Sequence, residues 1–452
     1  MSHPLFASAF VSGLASTVVS ALLLSACQAP AFLAGQPSAS VKQAAARIAA
    51  KAQFNRVSVS IQNPQLATVP GQIVLRYKPG VAPQSRDLAL QQLKLTRLRS
   101  LGNPELGLEL IQVQAGISTE AALMALRNQP QIAYAEPNFV VNMPKIQSTT
   151  QAATPPQAGL GHFPNDPMFR QQYAHKVSKS ELGWRKNKGS EKVVIAIVDT
   201  GVDLKHPDLA SKIVPGFDFV DKDDQAIDGH GHGTHCAGIA AAVTDNEVGV
   251  AGFAPNVGIM PIRVLDDNGS GSSADVAEGI LWAADHGAQV ISMSLGSSSF
   301  SQAKEDAVKY ALNKEISLVA AMGNDGNKSK IYPAAQAGVI AVGSTDARDK
   351  RSYFSNYGTW ISVTAPGSDI LSTFPTYGAD GLKDYGSISG TSMATPAVAG
   401  VVALIRSEFP HFKGKDVRAQ LEWGTDDLGE KGYDPFYGHG RINLDKALTR
   451  RP

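Results

Sequence analysis

Cysteine is nearly missing from this chain: only Cys27 and Cys236 occur, which excludes a disulfide framework as the main source of stability. An excess of charge of either sign is missing too. The formal net charge of +1 gives no electrostatic reason to expect nucleic acid or an anionic surface as partner. No Lys or Arg precedes the apolar stretch at residues 5–26, so the positive segment that usually opens a secretory signal is absent. No Gly-Lys-Ser/Thr follows the glycines around residue 231, which argues against a phosphate loop. His230, His232 and His235 lack the helical His-Glu-x-x-His spacing and its carboxylate, which argues against zinc.

What is present points to nucleophilic chemistry. Gly390-Thr-Ser392-Met-Ala-Thr-Pro396 sets one hydroxyl at the mouth of an apolar helix, whose free N–H groups and positive dipole end favour negative charge beside Ser392. Lys192-Val-Val-Ile-Ala-Ile-Val-Asp199 is a β-branched run ending on a carboxylate, the pattern of a strand buried on both faces of a parallel sheet. Ligands of such sheets bind beyond the carboxyl ends of the strands, where Asp199 falls. Asp228-Gly-His230-Gly-His232-Gly-Thr-His235-Cys236-Ala-Gly offers an imidazole at a helix start. Cys236, four residues after His232, reads as a small buried hydrophobe.

With Asp199, His232 and Ser392 in that chain order, and with Ser294-Leu-Gly296 and Gly323-Asn324 between the last two, residues 164–452 resemble the subtilisin-like serine endopeptidases, and within them the thermitase-like branch. The resemblance implies an α/β fold, a mainly parallel sheet covered by helices on both faces. It makes His232 the general base, Asp199 the group that holds its ring, and Asn324 with the Ser392 N–H the oxyanion hole. Gly269-Ser270-Gly271 and Ser294-Leu295-Gly296, with Gly323, are expected to flank a cleft in which a protein or peptide substrate lies as an added strand. The resemblance also implies structural calcium. One site combines Asp166, Asp208, Thr244, Asn246, Val248 and Val250. A second uses Asp218, Asp221 and Asp223, but the family's amide ligand falls on Ile227 there, which leaves that site weaker or dependent on Asp228.

The N-terminal third reads as accessory. Residues 1–27 are expected to be a signal, and Leu24-Ser-Ala-Cys27 resembles a bacterial lipoprotein box, so lipidation of Cys27 and a plain cleaved signal both stand open. A low-complexity spacer dominated by Gln, Ala and Ser follows at 28–70, with a short helix at 41–54. Residues 71–142 alternate strand and helix patterns: strand at 72–77, helix at 84–95, strand at 108–113, helix at 118–129 capped by Ser118, strand at 132–134. This small α+β (ferredoxin-like) unit resembles the inhibitory prodomain of the same proteases, whose C-terminal tail lies in the cleft. Residues 143–163 are expected to be a cleavable linker. The implied protein is a secreted or lipid-anchored serine endopeptidase, monomeric, made as a precursor inhibited by its own prodomain. The competing reading is a catalytically silent protease-fold binding protein that keeps its prodomain; the presence of Asp199, His232, Ser392 and Asn324 together weighs against it.

Overall fold

The computed structural model describes residues 67–147, 149–151 and 164–451, all within one compact unit. The expected signal with Cys27, nearly all of the spacer, the short helix at 41–54, and residues 148 and 152–163 of the linker lie outside the described residues.

The N-terminal part is an antiparallel sheet of β1 (Thr68–Tyr77), then after α1 (Pro83–Gln92) β2 (Leu95–Ser100) and β3 (Leu108–Val113), then after α2 (Thr119–Arg127) β4 (Ile132–Asn142), in the order β2-β3-β1-β4. Period-2 alternation divides its faces. Ile73, Leu75 and Tyr77 pack with Leu90, Leu123 and Leu126 of the two helices. Val74, Leu108 and Leu110 turn the other way and join the core of the C-terminal part. Ser118 caps α2 by accepting from the Ala121 N–H at 3.1 Å, as its position predicts. Two expectations are corrected: the helix ends at Gln92 and gives way to β2, and the last strand runs to Asn142.

The C-terminal part is built on a nine-stranded sheet. Its elements in chain order are β6 (Val194–Asp199), β7 (Phe217–Asp218), α3 (His232–Ala241), β8 (Gly258–Arg263), the short β9 (Ser270–Ser272), α4 (Ser273–Asp285), β10 (Val290–Met293), α5 (Gln302–Asn313), β11 (Ser317–Ala321), β12 (Ile340–Thr345), β13 (Val363–Pro366), β14 (Ile370–Thr373), β15 (Tyr385–Ile388), α6 (Thr391–Glu408), α7 (Gly414–Trp423), β16 (Thr425–Asp426) and β17 (Arg441–Ile442). The order across the sheet is β16-β17-β13-β12-β11-β10-β6-β8-β7, parallel throughout except the β16–β17 edge. Ile195 and Ile197 of β6 face the core shared with α3 and α6, while Ala196 and Val198 face the core shared with α4. The run is buried on both faces, as its composition requires. A separate three-stranded sheet joins β14 and β15 to β5 (Thr149–Gln151), which comes from the linker.

Candidate active site

Three neighbouring parallel strands, β6, β10 and β11, end at the same edge of the sheet and are followed there by Asp199, Ser294 and Asn324. Helix α3 begins at that edge with His232. Its Nδ1 stands 2.7 Å from Asp199 Oδ1, and both side chains are buried. The approach is close because residue 233 is glycine: a Cβ there would sit 2.0 Å from the Gly201 carbonyl oxygen.

Asp228 fastens this junction. Its buried carboxylate accepts from the Thr200 hydroxyl, the N–H groups of His230, Gly231 and Thr234, and the Thr234 hydroxyl, at 2.6 to 3.0 Å. The Thr200 oxygen in turn accepts from the Gly233 N–H at 2.9 Å. The loop after Asp199 and the start of α3 are therefore one hydrogen-bonded piece, a positioning role that Asp228's sequence context does not reveal.

Ser392 lies in the first turn of α6, buried, with its hydroxyl donating to the Ser294 carbonyl at 3.3 Å. His232 Nε2 is buried without a hydrogen-bond partner, so the serine–histidine contact is not closed in this state. Pro396, four residues on, has no N–H to give the Ser392 carbonyl. That oxygen instead accepts from the Ser294 hydroxyl at 2.8 Å and from Cys236 Sγ at 3.5 Å. Burial pushes the Cys236 thiol pKa up, so it stays protonated and packs beside the imidazole.

Asn324 is fixed by Thr391, whose N–H and hydroxyl donate to Asn324 Oδ1 at 2.9 and 2.7 Å. This turns its NH2 group outward, where it donates to the carbonyl of Lys145 at 2.9 Å. The two expected cleft segments hold the same stretch of chain. Val140, Val141 and Asn142 pair antiparallel with Ser272, Gly271 and Ser270. Asn142 exchanges both backbone hydrogen bonds with Gly296, and the Met143 N–H donates to the Gly269 carbonyl at 3.0 Å. Leu295 is buried, and the Gly323 N–H donates to the Thr391 hydroxyl. The segments expected to flank a cleft are thus paired with the chain's own residues 140–147, part of which the sequence suggests only as linker.

The histidine cluster divides. Among the described residues only Asp199, His232 and Cys236 bring three metal-capable atoms together, and these are the groups just described. His235 donates from Nε2 to the carbonyls of Ile370 and Gly386, and burial pushes its pKa down to about 3.

Of the two acidic clusters, one suits a cation. Asp166 and Asp208 are buried with no ion pair to either among the described residues, and burial pushes them up to about 6 and about 7. Asp166 accepts from the Asp245 N–H, and Asp208 from the Asn246 amide and the Val250 N–H, which gathers the loop carrying Thr244, Asn246, Val248 and Val250 around them. Buried carboxylates with no ion pair, beside a side-chain amide, form the core of a hard-cation donor set. The second cluster does not fit. Arg263 donates to Asp218 and Asp221 at 2.7 and 2.6 Å and to Asp267 at 2.7 Å, while Asp223 accepts from the Gln225 N–H. The guanidinium already supplies the positive charge, and Asp228 is spent on its five donors.

Residues 190–440 match the subtilase family, and residues 54–138 match the fervidolysin N-terminal prodomain. Thermitase of Thermoactinomyces vulgaris is 49% identical over 288 residues, 64% of this chain and 99% of its own length. The thermophilic serine proteinase of Bacillus sp. (strain AK1) is 38% identical over 392 residues, 86% of this chain and 90% of its own. Among solved structures, fervidolysin of Fervidobacterium pennivorans, described as a keratinolytic enzyme related to subtilisin, superposes with a TM-score of 0.72 at 29% identity, covering 85% of this chain and 61% of that one.

Proposed function

The chain belongs to the subtilase family as a serine endopeptidase with an N-terminal prodomain, and from that premise we propose that Asp199, His232 and Ser392 are its triad and that it is made as a secreted, self-inhibited precursor which activates itself. The observation that carries the assignment is the buried 2.7 Å contact between His232 Nδ1 and Asp199 Oδ1, on a helix whose Cys236 Sγ reaches the Ser392 carbonyl at 3.5 Å. Asp199 fixes the tautomer that leaves Nε2 free to take the Ser392 proton, and stabilises the imidazolium that results. The serine oxygen attacks the peptide carbonyl, and His232 returns the proton to the leaving amine. Asn324 Nδ2 and the Ser392 N–H stabilise the oxyanion. Water then hydrolyses the acyl-enzyme by the same route in reverse. Protein substrates bind through backbone pairing to residues 269–271 and 294–296, which favours tolerance of many sequences.

Calcium is proposed at Asp166, Asp208, Asn246 and the carbonyls of Thr244, Val248 and Val250, where it supplies cross-linking rather than chemistry. The apolar run at 5–26 supports export, and Leu24-Ser-Ala-Cys27 supports a lipid anchor at Cys27. The test is mass spectrometry of wild type and Ser392→Ala with a fluorophosphonate and casein. The expected result is that wild type loses its N-terminal part, carries the label on Ser392 and cuts casein, while the variant stays whole and unlabelled. An unlabelled, inert wild type would overturn the reading.

A further inference from the structure

We propose that the first peptide bond this enzyme cuts is its own Lys145–Ile146 bond, in cis. The proposal rests on the protease reading above. Three observations set the register. Upstream, Asn142 is doubly bonded to Gly296 and the Met143 N–H to the Gly269 carbonyl. At the centre, the Lys145 carbonyl oxygen accepts from Asn324 Nδ2 at 2.9 Å, the place an oxyanion takes. Downstream, the Gln147 N–H donates to the Ser389 carbonyl at 3.0 Å, and β5 continues antiparallel to β15.

A slip of one residue would break the pairing on both sides at once and turn alternate side chains over. It would also bring the carbonyl of Pro144 or Ile146 to Asn324. The side chains agree with a main-chain register: Lys145 is exposed, whereas Ile146 packs partly buried against the core around α6. Recognition of this bond therefore depends on Ile146 and on backbone pairing more than on the lysine.

The step balances. Ser392 Oγ bonds to the Lys145 carbonyl carbon as the C–N bond to Ile146 breaks. The hydroxyl proton passes through His232 to the Ile146 nitrogen, and one water then yields the Lys145 carboxylate and free Ser392. Pairing on both flanks holds both ends after the cut. The new amine stays beside the acyl-enzyme and competes with water until β5 leaves β15, so release of that strand commits the reaction.

The experiment is a mass-spectrometric time course on the full chain, with Ser392→Ala as control and fluorophosphonate labelling and casein cleavage at the endpoint. The earliest fragments should end at Lys145 and begin at Ile146, with a first-order rate unchanged by tenfold dilution. Lys145→Ala should be cut at the same bond within about threefold of the wild-type rate, and Ile146→Asp at least tenfold more slowly. A first cut at Pro144–Lys145, Ile146–Gln147 or beyond, in a protein that labels and cuts casein, overturns the register and leaves the protease reading standing. A rate proportional to concentration overturns the cis step. A chain that neither labels nor cuts casein takes both readings down.

Discussion

The carboxylate of Glu136 accepts from the backbone N–H of Gln302 at 2.8 Å, so a prodomain residue caps a helix of the catalytic part. It also accepts from the Ala303 N–H and the Ser301 hydroxyl. Two residues on, Asn138 does the same for α4, accepting from the Ala274 N–H and the Ser273 hydroxyl at 3.0 Å. Tyr134, two residues before Glu136, donates to Asp306 on α5. One face of β4, read at period 2, thus meets the starts of two adjacent helices.

Glu136→Ala should loosen this grip. A cap of this kind is worth about 1–2 kcal/mol, and removing it also strips the buried Lys304 of a compensating carboxylate. After processing, casein-cleaving activity should emerge roughly tenfold sooner, with Glu136→Gln between the two.

Asn324→Ala should lower kcat on a peptide substrate by about a hundred- to a thousandfold with KM little changed, the loss that a subtilisin, a relative of this enzyme, suffers when its oxyanion-hole asparagine is removed. A proportional rise in KM would mean that Asn324 binds the ground state instead.

Burial alone would keep the His232 ring neutral, but the Asp199 carboxylate overcomes it and holds the imidazole pKa well above its ordinary value. Catalysis needs the neutral ring, so kcat/KM should rise with pH along a limb centred above about 6.5, the ordinary imidazole value. Asp199→Asn should cost on the order of ten-thousandfold in kcat and move the limb down. Fluorophosphonate labelling rates across pH would measure both.

His175 behaves in the opposite way. It bonds Ser180 Oγ and the Ala251 carbonyl among Trp184 and Phe253, and burial pushes it down to about 4. The unfolded chain takes up that proton near 6.5, so its contribution is complete above that pH and is lost as pH falls towards 4, roughly 3 kcal/mol in all. Denaturant titrations of Ser392→Ala should show this slope, and His175→Gln should flatten it by nearly one proton.

Chelation should lower the thermal midpoint of Ser392→Ala. A cation held at a hundred times its Kd contributes about 2.7 kcal/mol. Asp208→Asn should abolish the difference between chelator and calcium, whereas Asp221→Asn should leave it intact.

The groups proposed for catalysis stand out in the sequence because each sits at a boundary that composition marks: Asp199 ends an apolar run, and His232 and Ser392 open helices rich in small residues. The strand β2 does not. Its Arg97 and Arg99 look like surface charges, but their partners Glu109, Asp275 and Glu278 come from a neighbouring strand and from α4. The same limit hid Arg263, which neutralises Asp218 and Asp221 from a different strand. Lys145 stands in a polar stretch, and only the fold brings its carbonyl to Asn324.

Pro396 turns a gap in one ladder into an anchorage for another. An alanine there would offer an N–H that competes for the Ser392 carbonyl and draws it along the α6 axis. With proline the carbonyl answers to Ser294, at the end of β10, and to Cys236, one helical turn beyond His232. The backbone of Ser392, the proposed nucleophile, is therefore moored to the sheet and to the helix of His232, so a shift of either carries Ser392 along with it.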